Sequence, residues 1–163
     1  NIPSEGLTTM TTEAYNPKKV FTLEEANATL PLVRAITGDL SRLAQDVTER
    51  RQRISHLMEG RELESGDPYT DELAHTQQEL ENDTKRLQEY VDELRQLGVE
   101  PKGALEGLVD FPAMIGGRLV FLCWKFDEPE ILYWHDLDGG FSGRQPLTAS
   151  IGSSDAEPGF LEG

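Results

Sequence analysis

The stretch LAHTQQELENDTKRLQEYVDELRQL, residues 73–97, decides the first half of the fold. Its leucines recur every seven residues, a spacing that places them on one side of an α-helix. These leucines are Leu73, Leu80, Leu87 and Leu94. Asp67 or Thr70 can cap the start, and Gly98 stands where a helix commonly ends. The pattern predicts a helix over residues 70–97.

A similar heptad pattern precedes this helix. Thr22 and Glu25 have the spacing of a capping box, in which each side chain accepts a hydrogen bond from a free backbone N–H. Apolar residues then recur at heptad spacing: Ala26, Val33, Leu40, Val47 and Ile54. The pattern predicts a helix over residues 23–58. Pro31 is expected to kink this helix or divide it, because proline lacks an N–H and clashes with the preceding turn.

The polar residues 59–69 connect the two helices. So short a connection predicts an antiparallel helical hairpin over residues 22–98. Arg50 lies on the apolar stripe, and the antiparallel arrangement places it one turn from Asp83. A polar pair there could fix the register of the helices, or Arg50 could extend into solvent, and the sequence leaves both open.

The pattern changes to that of β-strands in residues 105–148. Aromatic and β-branched side chains cluster there, and Gly116-Gly117 supplies a tight turn. The predicted strands are LVDF (108–111), RLVFLCWKF (118–126) and EILYWH (130–135). A meander this small is not stable alone, so its apolar face must pack on the helices or on a second subunit.

The predicted fold class is therefore α+β, a long antiparallel α-helical hairpin followed by a small antiparallel β-meander. Residues 20–148 are expected to form a single domain. We expect residues 1–19 to be a disordered lead and residues 149–163 a flexible tail, because neither shows apolar periodicity.

The charge of the chain excludes several classes of partner. Fifteen Lys and Arg residues stand against 30 Asp and Glu residues, which gives a formal net charge of -15 without any basic stripe. Nucleic acid and anionic membranes are therefore unfavourable partners. No apolar run of about 18 residues and no signal-peptide pattern is visible, so the sequence predicts neither a transmembrane helix nor a signal peptide. A single cysteine excludes an internal disulfide.

The two heptad stripes satisfy each other only partly, which predicts a homodimer with a four-helix arrangement. Its interface residues would be Leu40, Val47, Ile54, Leu80 and Leu87. The first functional hypothesis is accordingly a dimerising interaction or scaffold module that binds a protein partner. It is supported by the heptads and by the lack of a specific catalytic motif.

The second hypothesis is a small metal- or anion-binding enzyme around WHDLDGGFSGRQP, residues 134–146. Imidazole, thiolate and carboxylate groups suit zinc, iron or manganese, so a divalent metal is the cofactor that these residues suggest. The candidate ligands are His135, Asp136, Asp138, Cys123 and Asp110. A metal site requires Cys123 and Asp110 to share a sheet face with His135.

Two alternatives remain for the cysteine and histidine. They could form a thiolate–imidazolium pair for nucleophilic chemistry. More commonly, a cysteine between Leu122 and Trp124 is an inert core thiol, and His135 is then a structural residue bound to a backbone carbonyl.

Arg144 stands among glycines that could aim backbone N–H groups at an anion. Gly140 and Gly143 are the glycines of this candidate anion site. The alternative is an ion pair between Arg144 and one of the many carboxylates of the chain.

Several short motifs together resemble one family, the bacterial "domain of unknown function 2203" family. The resemblance covers residues 20 to 147 and implies a cytoplasmic bacterial protein without an assigned activity. The motifs are FTLEEANATLP (21–31), GLVDFP (107–112), LCW (122–124), EPEI (128–131), WH (134–135) and GFSGRQP (140–146).

Overall fold

The computed structural model describes residues 15–59 and 67–147. Two long helices are followed by a five-stranded antiparallel sheet, which confirms the predicted fold class. The helices are α1 (Leu23–Met58) and α2 (Pro68–Gln96), and the strands are β1 (Glu100–Gly103), β2 (Leu108–Ile115), β3 (Arg118–Lys125), β4 (Tyr133–Asp136) and β5 (Gln145–Pro146). Residues 1–14 of the predicted lead and the whole predicted tail lie outside the described residues.

Helix α1 has the predicted bounds and the predicted cap. The backbone N–H of Thr22 donates to Glu25 Oε1 at 3.0 Å, and the N–H of Glu25 donates to Thr22 Oγ1 at 3.0 Å. Pro31 lies inside a single uninterrupted helix, so the expected division does not occur. Packing against the sheet explains this, because the buried face of α1 continues through Leu30 and Val33.

Helix α2 begins at Pro68, slightly before the predicted start. The Asp67 carboxylate caps it by accepting the N–H of Tyr69 at 2.9 Å. The other end closes as predicted, because Gly98 adopts a φ of 92° and the N–H of Val99 donates to the Leu94 carbonyl at 3.0 Å.

The sheet is a meander in the order β1-β2-β3-β4-β5. It begins at Glu100, earlier than the predicted start at residue 105, and the strands β1 and β5 were not predicted. Both contain proline, and only pairing with a neighbouring strand makes them part of the sheet. The predicted strand over residues 130–135 is wrong in its first half, because the N–H of Ile131 donates to Asn27 Oδ1 of α1 at 2.9 Å.

One face of the sheet packs against the helices and forms the core. Its largest member is Trp124, which is completely buried. The other core residues of this face are Val109, Phe111, Ala113, Ile115, Val120, Leu122 and Trp134. Helix α1 contributes Val33 and Leu40, and α2 contributes Leu94.

The two helices extend beyond the sheet as an outer hairpin, residues 48–59 and 67–93. Arg50 pairs with Asp83 across it, so the polar residues of the seam meet. Of the five predicted interface residues, Leu40 and Val47 are already buried within the single chain. The remaining three, Ile54, Leu80 and Leu87, are partly buried.

Candidate metal centre

The register of the central strands brings three polar side chains to the sheet face that points away from the helices. Side chains alternate along a strand, so Asp110 points away from the core that Val109 and Phe111 enter. Asp110 lies directly opposite Cys123 across β2 and β3. His135 is on β4, the neighbour of β3 on its other side.

These three residues form a compact buried group. Their ligand atoms, one each from Asp110, Cys123 and His135, all lie within 4.8 Å of one another. Each of the three residues is 2% exposed. The geometric condition for a metal site, a shared sheet face, is therefore met.

The hydrogen bonds of His135 define its chemistry. Nδ1 lies 2.7 Å from the backbone carbonyl oxygen of Asp136, which can only accept, so Nδ1 carries a proton. Nε2 lies 3.1 Å from Asp110 Oδ1. A neutral imidazole with this tautomer would direct a lone pair at a carboxylate oxygen, which is repulsive. Either a proton or a metal ion must therefore lie between Nε2 and Oδ1.

The surroundings favour a bound cation or proton at His135. Burial lowers the pKa of His135, but the hydrogen bonds to Asp110 and to the Asp136 carbonyl outweigh burial and raise the pKa above its ordinary value. With a proton, the group is a buried imidazolium–carboxylate pair. Such a pair is costly to bury and is weak evidence for a purely stabilising role.

Cys123 is not an activated nucleophile in this environment. Burial, with a further contribution from the charge of Asp110, raises the pKa of its thiol to about 12. The metal-free protein thus holds a neutral thiol near neutral pH, which argues against the thiolate–imidazolium pair. A metal ion in contact with the sulfur would remove this proton.

An open cavity leads to the three residues and encloses about 350 Å³. The remaining residues of its wall are Lys102, Leu108, Leu137, Asp138, Gly140 and Phe141. Most of this wall comes from the turn after β4, where the Gly139 N–H donates to the Asp136 carbonyl at 2.9 Å and so directs the chain back over His135. A small molecule could therefore approach the buried group.

The other two candidate ligands lie apart from this group. The Asp136 carboxylate pairs with Arg118 at 3.3 Å, and only its backbone carbonyl contacts His135. Asp138 lines the cavity but is exposed.

Arg144 has carboxylate and aromatic partners. Its guanidinium donates to both carboxylate oxygens of Glu128 at 2.6 Å, and it lies 4.0 Å from the Tyr133 ring centroid and 4.7 Å from that of Phe141. This is the ion pair that the sequence left as the alternative to an anion site. Gly140 lines the cavity, whereas Gly143 closes the short helical turn after Gly140.

Sequence reasoning missed Lys102 and Leu108 as cavity residues. Lys102 lies on the unpredicted strand β1, and no motif surrounds it. Only the pairing of β1 with β2 places it beside the metal-binding candidates.

The comparison with protein families gives one result. The family model described as "Uncharacterized conserved protein (DUF2203)" matches residues 19–147, more than three quarters of the chain. The chain belongs to the DUF2203 family. The match includes all three residues of the buried group, and neither a curated protein nor a solved structure is significantly similar to the chain. Among residues 15–59 and 67–147, no helix is both long enough and apolar enough to cross a membrane.

Proposed function

We propose that this DUF2203 protein is a metalloprotein whose Asp110, Cys123 and His135 bind a divalent transition-metal ion, zinc being the best match. The observation that carries the proposal is the convergence of three ligand atoms within 4.8 Å at the buried side of an open cavity. A nitrogen, a sulfur and an oxygen donor form a set that suits zinc, and also iron.

The hydrogen bond from His135 Nδ1 supports the proposal. Histidines that bind a metal through Nε2 commonly donate the other N–H to a backbone carbonyl or a carboxylate, which fixes the ring. The Asp136 carbonyl receives this hydrogen bond at 2.7 Å. The charges also suit a dication, since a carboxylate and a thiolate would balance it in a buried position.

The number of ligands favours a catalytic site over a structural one. Structural zinc sites commonly have four protein ligands, whereas catalytic sites have three and leave a position for water or substrate. Here three ligands adjoin a cavity of about 350 Å³. The site would therefore supply a Lewis acid to a small bound molecule.

The test is the metal content of untagged protein purified without chelator, measured by inductively coupled plasma mass spectrometry. We expect about one metal equivalent per chain, with loss in His135→Ala and Cys123→Ser. His75→Ala is the matched control, because this imidazole lies on α2 with a 74% exposed side chain. Reconstitution with Co²⁺ should give a thiolate-to-cobalt charge-transfer band that Cys123→Ser lacks.

A folded wild-type protein that neither retains metal nor binds added Zn²⁺ or Co²⁺ would overturn the proposal. Equal metal content in His75→Ala and His135→Ala would overturn it as well. Circular dichroism of each variant separates loss of metal from loss of fold.

We also propose that two copies pair through their outer hairpins, as a scaffold function would require. Within residues 48–59 and 67–93, no side chain is fully buried, although eight apolar residues lie partly buried. They are Ile54, Leu57, Met58, Leu73, Leu80, Leu87, Tyr90 and Val91. The exposed Arg51 and Arg53 of α1 are opposite in charge to the acidic α2, so α1 of one copy could pair with α2 of a second copy. The second hairpin would also cover the partly buried apolar residues.

Light scattering after size-exclusion chromatography tests the dimer. We expect a dimer mass for the wild type and a monomer mass for Leu80→Glu. Leu105→Glu, at a 45% exposed position beside the sheet, is the control and should stay dimeric. A wild-type monomer at every concentration would contradict this part of the proposal.

We place the protein in the cytoplasm, where reducing conditions keep a thiol such as that of Cys123 available for a metal. The net charge of -15 makes nucleic acid an unfavourable partner.

A further inference from the structure

Lys102 lies at an irregularity of the sheet. The pairing of β1 with β2 runs from Pro101 opposite Val109 to Gly103 opposite Leu108, so the register shifts at Lys102. Such bulges redirect a side chain, and they are common beside functional sites.

The redirected side chain lies above the sheet face that carries the metal-binding candidates. Lys102 Nζ is 5.3 Å from the ring centroid of Phe121, and this ring is 5.6 Å from the ring of His135. Lys102 also lines the cavity. Its ammonium group is therefore beside the buried group, on the side from which a ligand would enter.

In the part of the chain that the structure describes, this ammonium group lies over the Phe121 ring, which does not neutralise its charge. Among the described residues, no carboxylate forms a salt bridge with Lys102, although acidic residues outnumber basic ones twofold in the sequence. A metal ion would balance the charges of Asp110 and the Cys123 thiolate. The charge of Lys102 would then remain for an anion at the metal.

The rest of the cavity wall is largely apolar. Leu137 and Phe141 are 42% and 48% exposed, so each offers apolar surface that a ligand could cover. The Arg144 guanidinium lies 4.7 Å from the ring centroid of Phe141. Because Arg144 is held in place by its ion pair with Glu128, this contact helps to position the Phe141 ring. This wall suits an apolar body of modest size.

We infer that the cavity binds a small organic anion, whose oxyanion group lies between Lys102 and the metal and whose apolar part contacts Leu137 and Phe141. The inference rests on the proposed metal centre, since the metal would supply the open coordination position that the oxyanion group takes. Asp138 also lines the cavity, and its carboxylate should weaken the binding of anions there.

The experiment uses full-length protein loaded with Co²⁺, with benzoate, acetate and benzyl alcohol as probes. Calorimetry measures each affinity, and the visible spectrum of cobalt reports entry of the probe at the metal. We expect benzoate to bind more tightly than acetate, which lacks the apolar body. We expect benzyl alcohol, which lacks the charge, to bind more weakly than benzoate.

Two variants test the role of the lysine directly. Lys102→Met should weaken benzoate binding about tenfold while cobalt loading and its spectrum stay unchanged, because one charge-assisted contact is lost. Lys85→Met, an exposed lysine of α2, removes the same charge far from the sheet and should leave benzoate affinity unchanged. Asp138→Asn should tighten benzoate binding.

The outcomes separate the two proposals. Cobalt that binds with full stoichiometry but does not respond to benzoate overturns the inference and leaves the metal centre intact. Equal benzoate affinity in Lys102→Met and wild type also overturns the inference. A folded protein that retains no metal and binds neither cobalt nor zinc overturns both proposals.

Discussion

At its centre the sheet has buried residues on both faces, but the two faces are chemically different. Leu122 and Cys123 are neighbours on β3, with exposures of 0% and 2%, yet one faces the helices and the other faces the cavity. Burial of an apolar side chain stabilises a fold, whereas burial of a carboxylate or imidazole costs free energy unless the group is paired. The helix-facing side therefore maintains the structure, and the difference supports the proposal that the opposite side serves a chemical role.

Different parts of the molecule cover the two faces of the sheet. Helices α1 and α2 pack on the apolar side and leave a continuous core. The opposite side is covered in part by the turn after β4 and by Tyr15, whose ring lies 5.6 Å from that of Phe121. A turn covers less area than a helix, so a cavity remains beside the polar group.

The largest expected effect compares the two neighbours on β3. Leu122→Ala should lower the free energy of unfolding of the metal-free protein by about 3 kcal/mol, because it leaves a cavity in a well-packed core. Cys123→Ala removes a single heavy atom and should cost only about 1 kcal/mol. Urea unfolding followed by circular dichroism measures both, and equal losses would mean that the second face is also structural core.

The next effect is the stabilisation by zinc. Free Zn²⁺ at about 100 times its dissociation constant should raise the free energy of unfolding by roughly 2.7 kcal/mol. Val33→Ala, a core substitution in α1, should leave this stabilisation by zinc unchanged. Free-energy changes at two sites are additive when the sites share no contacts. Cys123→Ser should lose most of the stabilisation by zinc. A zinc increment that disappears in Val33→Ala would show that the two faces are energetically coupled.

A smaller effect concerns pH. The pKa of the Cys123 thiol is raised to about 12, so the thiol stays protonated through neutral pH and zinc must displace that proton. Zinc affinity should therefore rise as pH increases, by about 1.4 kcal/mol per pH unit for each displaced proton. Calorimetry at several pH values gives the pH dependence of zinc affinity, which reports the number of protons released when zinc binds. Cys123→Ser should release one proton fewer than the wild type. An unchanged pH dependence would argue that the sulfur does not bind the metal.

The smallest effect should come from Asp136→Asn. The carboxylate of Asp136 is about half exposed and pairs with Arg118 on the surface, while its backbone carbonyl holds His135. The substitution keeps the carbonyl, so stability should change by less than about 0.5 kcal/mol. Zinc affinity, measured by competition with a chelating dye, should stay within a factor of two. A large loss of affinity would add Asp136 to the ligands.

The sequence predicted the helical part of the fold well because its signals are local. The bounds of α1 agree with the structure, and the capping box of Thr22 and Glu25 forms as expected. The consequence of Pro31 was predicted less well. Whether a proline divides a helix depends on the packing of its neighbours, and here that packing lies in the sheet.

The sequence predicted the sheet only in part. The hairpin between β2 and β3 follows from Gly116 and Gly117, whose φ angles of 61° and 77° suit glycine. Strand β1 gave no local signal, because Pro101 and Gly103 are poor strand residues. Its existence depends on hydrogen bonds that β2 provides.

By itself, the sequence determined the hairpin, the presence of a meander, the family and the residue types able to bind a metal. These follow from periodicity, turn residues and side-chain chemistry, all of which can be read along the chain. The tertiary structure alone decided that Asp110, Cys123 and His135 converge, while Asp136 turns to Arg118 and Arg144 to Glu128. The physical reason is strand register, which is set by non-local pairing and packing.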